Sequence, residues 1–309
     1  MSDADIGIDR AGVAGRVRSV LQAASGSITR TKLLLVPLLL FDLLVFVVPM
    51  GYLLRISFAK RSVGGGPLQK GTWSLDGYQY LSDSSVVATV FTWTLLFAVV
   101  ATLLAVGIGT LYAYAAWRAS GVTRTVLLAG VVMSMFTTLV VKVFAARVML
   151  SPDGVVNDTL LASGVLDGQL ILVNNEIGVL IGQLYIVLPY TVLAVYSVLT
   201  GLDEALVEAA NDLGATPVRA VREVVLPHAV PGMAVGGVIA LAWSAGAFAA
   251  PLLLGSASER TVAVEVQNLL TLFNYPAAAA LAVVLTTVVL VVLTLGIVLL
   301  RRRGGLRDV

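Results

Sequence analysis

Few side chains in this sequence could do chemistry, and their types exclude most of it. His228 is the single histidine and cysteine is absent, which leaves no thiol nucleophile, no disulfide and no Cys cluster for a metal. Beside Pro227, His228 reads as an interfacial residue rather than a catalyst. The Gly-x4-Gly-Lys-Ser/Thr pattern that cradles a nucleotide phosphate is missing, and no Lys follows a Gly. Catalytic and metal-ligating residues are therefore not expected, the chain is not expected to be an enzyme, and it carries no cofactor of its own. Two kinds of ionisable group remain. One is an island of charge at residues 204–232, EALVEAANDLGATPVRAVREVVLPHAVPG. Its glutamates read as solvated or partner-facing rather than as an acid–base pair. The other is two isolated charges, Asp42 and Lys142, each inside an apolar run. Such a charge at mid-bilayer costs about 2.5–3.5 kcal/mol on insertion scales and tends to face a cavity or a partner.

The apolar runs set what must hold these groups. At 309 residues, 58% hydrophobic and 12% charged, the chain has too little polar surface to cover a soluble globule. Six stretches, 33–54, 89–116, 126–150, 177–199, 233–254 and 277–300, run nearly free of charge. Each holds the roughly 20 residues that cross a hydrocarbon core of about 30 Å. The expected fold is all-α, a polytopic membrane protein with six transmembrane helices. The first run starts too late for a secretory signal and no small-residue cleavage site follows before Arg55, so it should persist as a helix. Three regions follow: a tail at 1–31 mixing Arg with Asp, a membrane domain at 32–300, and a basic tail at 301–309.

Lys and Arg fix the expected orientation, because basic residues in short loops stay in the cytoplasm. Arg118 and Arg124 bracket the connection from the second to the third run, Arg219 and Arg222 lie between the fourth and fifth, and Arg301, Arg302, Arg303 and Arg307 close the chain. These segments and the N-terminus belong inside. Residues 151–176 carry Asp153, Asp158, Asp167 and Glu176 with no Lys or Arg, which suits the outside. Arg55, Lys60, Arg61 and Lys70 violate the rule in the first outer loop, yet an even number of spans with both termini cytoplasmic gives the fewest violations. Counted from the inner end, Asp42 is roughly 15 Å deep and Lys142 roughly 25 Å. Either could line a solute path or serve a structural bond.

The island, on this orientation, is cytoplasmic and reads as two short helices with a corner. Asp203 can cap the first, whose faces are Leu206, Ala209, Ala210 and Leu213 against Glu204, Glu208 and Asn211. Gly214 supplies a residue able to leave a helix at positive φ. Thr216 and Pro217 read as the N-cap and first turn of a second helix, with Val218, Val221, Val224 and Val225 as its apolar side. Pro227 and Pro231 are expected to stop that helix before the fifth run. Amphipathicity alone leaves an ordinary loop on the headgroups as an equal reading.

Spacing adds to this. Glu208, Ala209, Ala210, then Gly214 after three residues, then Val224, Leu226 and Pro227 after nine more resembles the Glu-Ala-Ala-x3-Gly-x9-Ile-x-Leu-Pro loop of ABC importer permeases, with Val224 in the Ile position. TTLVVKVFAARVMLSPDGVVN at 137–157, GAFAAPLLLGS at 246–256 and NYPAAAAL at 274–281 are similar to segments of the polyamine and iron(III) subgroup of such permeases. Lys142 stands where that subgroup often has Arg, and Ala247 and Asn274 stand where it has acids. The resemblance implies a type I importer permease fold (MetI-like) in a bacterial or archaeal plasma membrane. Its cytoplasmic coupling loop would be residues 200–231. It implies that Glu208 offers a charge-assisted contact to an ATPase, that Ala209 and Ala210 permit close approach, that Gly214 makes the bend and that Leu226 and Pro227 anchor the exit.

Several partners are implied in turn: a cytoplasmic ABC ATPase dimer holding ATP and Mg, a second permease subunit, an extracytoplasmic solute-binding protein and the lipid bilayer, with no nucleic acid. The implied solute class includes polyamines of the spermidine and putrescine kind. An ion-coupled secondary transporter or channel is the alternative, and a scaffold protein the third reading; dependence of uptake on ATP separates them. Trp73, Trp93, Trp117 and Trp243 serve equally as interface anchors or as ligand contacts.

Overall fold

The computed structural model describes residues 35–62, 69, 71–165 and 167–302, with side chains as far as residue 298. The tail at 1–31 and residues 303–309 of the basic tail lie outside the described residues. The chain divides into two units, Met1–Arg55 and Ile56–Val309.

The described part of the first unit belongs to helix α1, Leu35–Ser57. Its residues 43–47 form a π turn, with Asp42 immediately before it.

In the second unit the helices are α2 (Asp76–Asp83), α3 (Ser85–Arg118), α4 (Gly121–Phe136), α5 (Leu139–Leu150), α6 (Val155–Ala162) and α7 (Glu176–Leu199). They continue as α8 (Glu204–Asp212), α9 (Pro217–Ala245), α10 (Ala249–Leu254), α11 (Val262–Thr271) and α12 (Tyr275–Arg302). Their ends are set by local chemistry. Ser84 accepts a hydrogen bond from the Val87 amide at the start of α3, and Asn175 Oδ1 accepts one of 2.9 Å from the Gly178 amide at the start of α7.

Helices α3, α7 and α9 pack on one another as the centre of this unit. Ala98, Ala101, Ala105, Gly109, Ala113 and Ala116 recur along the buried side of α3, and side chains this small let the three backbones approach closely. Thr191 of α7 fills the space between them. A Cβ built on Gly109 of α3 or on Gly236 of α9 would stand 2.8 Å or 3.0 Å from its Cγ2. Helices α5 and α10 lie against α7, while α2, α11 and α12 form a second group beside α3. Two polar contacts tie these groups at one end: Thr94 Oγ1 accepts a 2.9 Å bond from the Val262 amide, and the Thr261 hydroxyl donates a 2.7 Å bond to the Ala247 carbonyl.

Among the described residues five helices are long and apolar enough to cross a membrane, and a sixth span results if the bent pair following α3 is taken as one. That pair corrects the expectation of a continuous third helix at 126–150. The chain turns by 111° between Phe136 and Leu139, because Thr137 and Thr138 both adopt extended backbone. Two successive β-branched residues disfavour the helix, and the Thr137 hydroxyl bonds the Met133 carbonyl at 3.3 Å, offering the backbone a local alternative.

The fifth run is corrected too. Pro227 and Pro231 do not stop a helix; α9 runs from Pro217 through both of them to Ala245. A π turn at 221–225 precedes Pro227, so the Leu226 amide bonds the Val221 carbonyl, five residues back. The slack of that wider turn accommodates a ring that would clash with a regular i−4 carbonyl. Helix α9 then ends at Gly246, and the expected span end at 254 belongs instead to the separate short helix α10.

Candidate coupling knob and solute-path residues

The island folds into the two helices expected of it, joined at a tight corner. Asp203 Oδ1 accepts from the Ala205 amide at 2.9 Å and starts α8. Gly214 has φ 87°, a value that costs an L side chain roughly 1–2 kcal/mol. With that turn made, the Ala215 amide reaches the Ala210 carbonyl at 3.0 Å. Thr216 Oγ1 then accepts from the Arg219 amide and Pro217 occupies the first turn of α9.

One side of this knob is bound into the bundle. Val207, Ala220, Val225 and Ala229 are buried in one cluster with Trp117 of α3 and with Leu199 and Leu202 at the end of α7. Ala210, Val221 and Val224 pack against the same cluster. Three transmembrane helices thus meet the knob in one apolar core, and a force on the knob bears on all three.

The other side is bare. Leu206, Leu213 and Val218 are 55%, 89% and 78% exposed. Glu208 and Ala209 are exposed beside them, and among the described residues no side chain bonds the Glu208 carboxylate. Asp203, Glu204, Glu208 and Asp212 make α8 an acidic helix without a basic residue. On α9, Arg219 pairs with Glu223 at 3.0 Å, both groups in solvent, a contact worth about 0–1 kcal/mol.

The residues expected to couple therefore separate. Glu208, Ala209 and Gly214 lie exposed, whereas Ala210 is half-buried on the chain's own core. Leu226 and Pro227 are exposed inside α9, and the buried residues at that exit are Val225 and Ala229. The heptad-like face assigned to α8 included Leu206 and Leu213 but omitted Val207, which is the buried one.

The two isolated charges stand in different units. Asp42 is exposed on α1. Lys142, in the first turns of α5 after the bend, is 3% exposed, and its ammonium lies 5.7 Å from the centroid of the Tyr185 ring of α7. That is a cation–π distance, and no carboxylate among the described residues pairs with it. Tyr185 also lines a cavity of about 190 Å3 with Tyr112, Ser134 and Pro189. The Ser134 hydroxyl is buried there without a hydrogen-bond partner among the described residues.

Besides Lys142, a buried charged group that the sequence did not single out is Glu265. Glu265 on α11 is buried and accepts from Arg260 at 3.1 Å and from Asn268 Nδ2 at 3.2 Å. Spacings of three and five residues around a glutamate in an amphipathic segment were the available signal. Next to it, burial pushes the Glu259 carboxyl up, but hydrogen bonds from the Ser256 hydroxyl and amide and from Ser258 outweigh this and hold it below its ordinary value.

A bundle of membrane-length helices with a charged knob packed into three of them has the build of a membrane transport permease. The chain belongs to the family of binding-protein-dependent transport system inner membrane components, which matches residues 105–303, and it is an ABC importer permease. It is similar to the spermidine/putrescine transport system permease protein PotB of Haemophilus influenzae, at 29% identity over 79% of this chain and 86% of that protein. The PotB protein of Escherichia coli strain K12 is 29% identical over 69% of this chain and 78% of its own length. Among solved structures, a bacterial ABC transporter involved in the import of the acidic polysaccharide alginate superposes with a TM-score of 0.75. It is 21% identical and covers 91% of this chain and 99% of its own, which establishes the shared fold.

Proposed function

We propose that this permease imports an organic polycation of the spermidine and putrescine class and is driven by a separate ATPase dimer through the α8–α9 knob. A single observation carries the coupling: the knob is apolar on both sides, one buried with the ends of α3, α7 and α9 and the other open beside an unpaired Glu208. Burial of Leu206, Leu213 and Val218 in a groove of the ATPase removes exposed apolar surface, and a basic residue there satisfies the carboxylate. ATP and Mg belong to that partner. Gly214 sets the angle between the two helices, and Val225 with Ala229 carries motion into α9. The N- and C-termini, like the knob, lie in the cytoplasm, as the Arg distribution favours.

The solute class is taken from the two PotB relatives. A second permease subunit completes the path, and a solute-binding protein delivers to the outer loops. A relative in fold has been solved in complex with a periplasmic protein bound to an alginate pentasaccharide, which supports that mode of delivery. Lys142 and Asp42 belong to the path in this reading. Losing uptake in Lys142→Met or Asp42→Asn at normal membrane abundance supports that role, and losing abundance opposes it.

Co-purification tests the coupling. Wild-type permease should retain its ABC ATPase, and Glu208→Arg combined with Gly214→Pro should release it while the permease stays in the membrane. An ATPase that remains bound to the double variant contradicts the assignment.

A further inference from the structure

We infer that a groove between the first third of α3 and the start of α7 is a binding site for the alkylammonium solute, with Trp93, Phe97 and Glu176 as its recognition residues. The inference deepens the polycation reading above and rests on it for the chemical class.

The groove is a cavity of about 270 Å3 whose lining includes Trp93, Phe97 and Val100 of α3 and Glu176, Ile177 and Leu180 of α7. Trp93 and Phe97 are one helical turn apart and stack with ring centroids 5.0 Å apart and planes 9° from parallel. Phe97 is buried and Trp93 half-buried, so the indole forms the wall that a ligand meets. Glu176, exposed, supplies the single charged side chain of this lining. Asn175 already caps α7 through Gly178, which leaves the Glu176 carboxylate free for a ligand.

Aromatic faces and one carboxylate around an apolar floor match a particular chemistry. The methylenes of an alkylamine lie on the floor, an ammonium lies over the indole, and a terminal ammonium meets Glu176. A neutral acyl chain would use the floor and leave the carboxylate without a partner. The segment leading into α7 extends the selection for positive charge: Asp153, Asp158, Asp167 and Glu176 fall within residues 151–176, without Lys or Arg. An acidic segment of this kind attracts cations to the side of the membrane on which it lies.

The same side of the α3–α7 seam continues to the Tyr185 cavity. Residues 93, 96, 100 and 108 of α3, spaced at three to eight, line the two cavities in succession, as do residues 177, 180, 185 and 188 of α7. A cation held at Trp93 therefore sits at one end of a seam whose other cavity lies beside the Lys142 ammonium, where like charge opposes a second cation.

The test uses full-length permease in lipid nanodiscs, titrated calorimetrically with spermidine, putrescine, choline and 1,8-octanediol, in wild type, Trp93→Leu and Glu176→Gln. Thermal unfolding of each variant verifies that it is folded, and Trp243→Phe serves as the control for loss of an indole outside the groove. Spermidine should bind wild type, and each variant at the groove should weaken it about tenfold, with 1,8-octanediol, the uncharged probe, giving no saturable signal. Unchanged spermidine binding in both folded variants overturns the site and leaves the solute class standing. Binding of choline but of neither polyamine, weakened by the same variants, supports the site and overturns the polyamine reading. Saturable binding of the diol that Glu176→Gln does not alter identifies a lipid groove and overturns the site.

Discussion

Replacing Gly214 by Ala isolates the corner of the knob from everything else about the protein. A Cβ at this position meets nothing within 4 Å, so sterics between residues contribute no cost. The φ of 87° does. Holding an L residue there costs roughly 1–2 kcal/mol, and relief of that strain opens the corner that the Ala215–Ala210 hydrogen bond closes. If import requires the closed corner, its population falls by a factor of about 5–30. The assay is solute uptake by proteoliposomes containing the permease, its partner subunits and trapped ATP, scored against ATP hydrolysis in the same vesicles. Gly107→Ala is the matched control, since Gly107 also has open space around its Cβ but a helical backbone. The expected outcome is normal assembly, loss of uptake per ATP in Gly214→Ala, and none in Gly107→Ala. Wild-type uptake by Gly214→Ala at normal abundance refutes the reasoning, because the corner would then carry no geometric information.

Three further outcomes follow from the packing and the charges. Gly236→Val should destabilise the bundle by about 1–3 kcal/mol, measured as a lower midpoint of unfolding in detergent, since its Cβ would press on Thr191. Arg260→Met should lower that midpoint more than Glu265→Gln, because it leaves a buried carboxylate without its counter-charge, whereas the glutamine is neutral and can still accept from Asn268. For Glu259 the folded carboxyl titrates below its unfolded value of 4.5. Its stabilisation is therefore present above that pH and lost as pH falls through the folded value. The difference in unfolding midpoint between wild type and Glu259→Gln should be largest near neutrality and close in acid.

Much of this was legible in the residues, and the failures are instructive. Hydropathy marked all six apolar runs, because a membrane span needs a long charge-free stretch whatever its packing. The knob was legible as well: Asp203, Gly214, Thr216 and Pro217 each act within one or two residues, which is the range over which capping and φ preferences operate. Breaks were less so. Thr137 and Thr138 interrupt the third run with neither Gly nor Pro, and a hydropathy window averages across them. Pro227 and Pro231 misled in the opposite direction, since the π turn at 221–225 that lets the helix pass Pro227 has no composition of its own. The reading of α8 named the face with Leu206 and Leu213, which stays exposed, and left out Val207, the residue that the bundle buries. The five-residue spacing of Arg260 and Glu265 was there to be read, but burial of the pair depends on how α11 packs against the bundle, which no local pattern encodes.

Coupling through the knob turns on what its tip meets. The chain contains no cysteine, so Leu213→Cys gives a unique thiol at a position 89% exposed. In membrane vesicles carrying the assembled importer, a short bifunctional thiol-to-amine reagent should join Cys-bearing permease to the ATPase subunit. Addition of ATP should change the yield. Attachment to the external solute-binding protein, or labelling of that thiol in intact cells by a membrane-impermeant maleimide, would contradict the account.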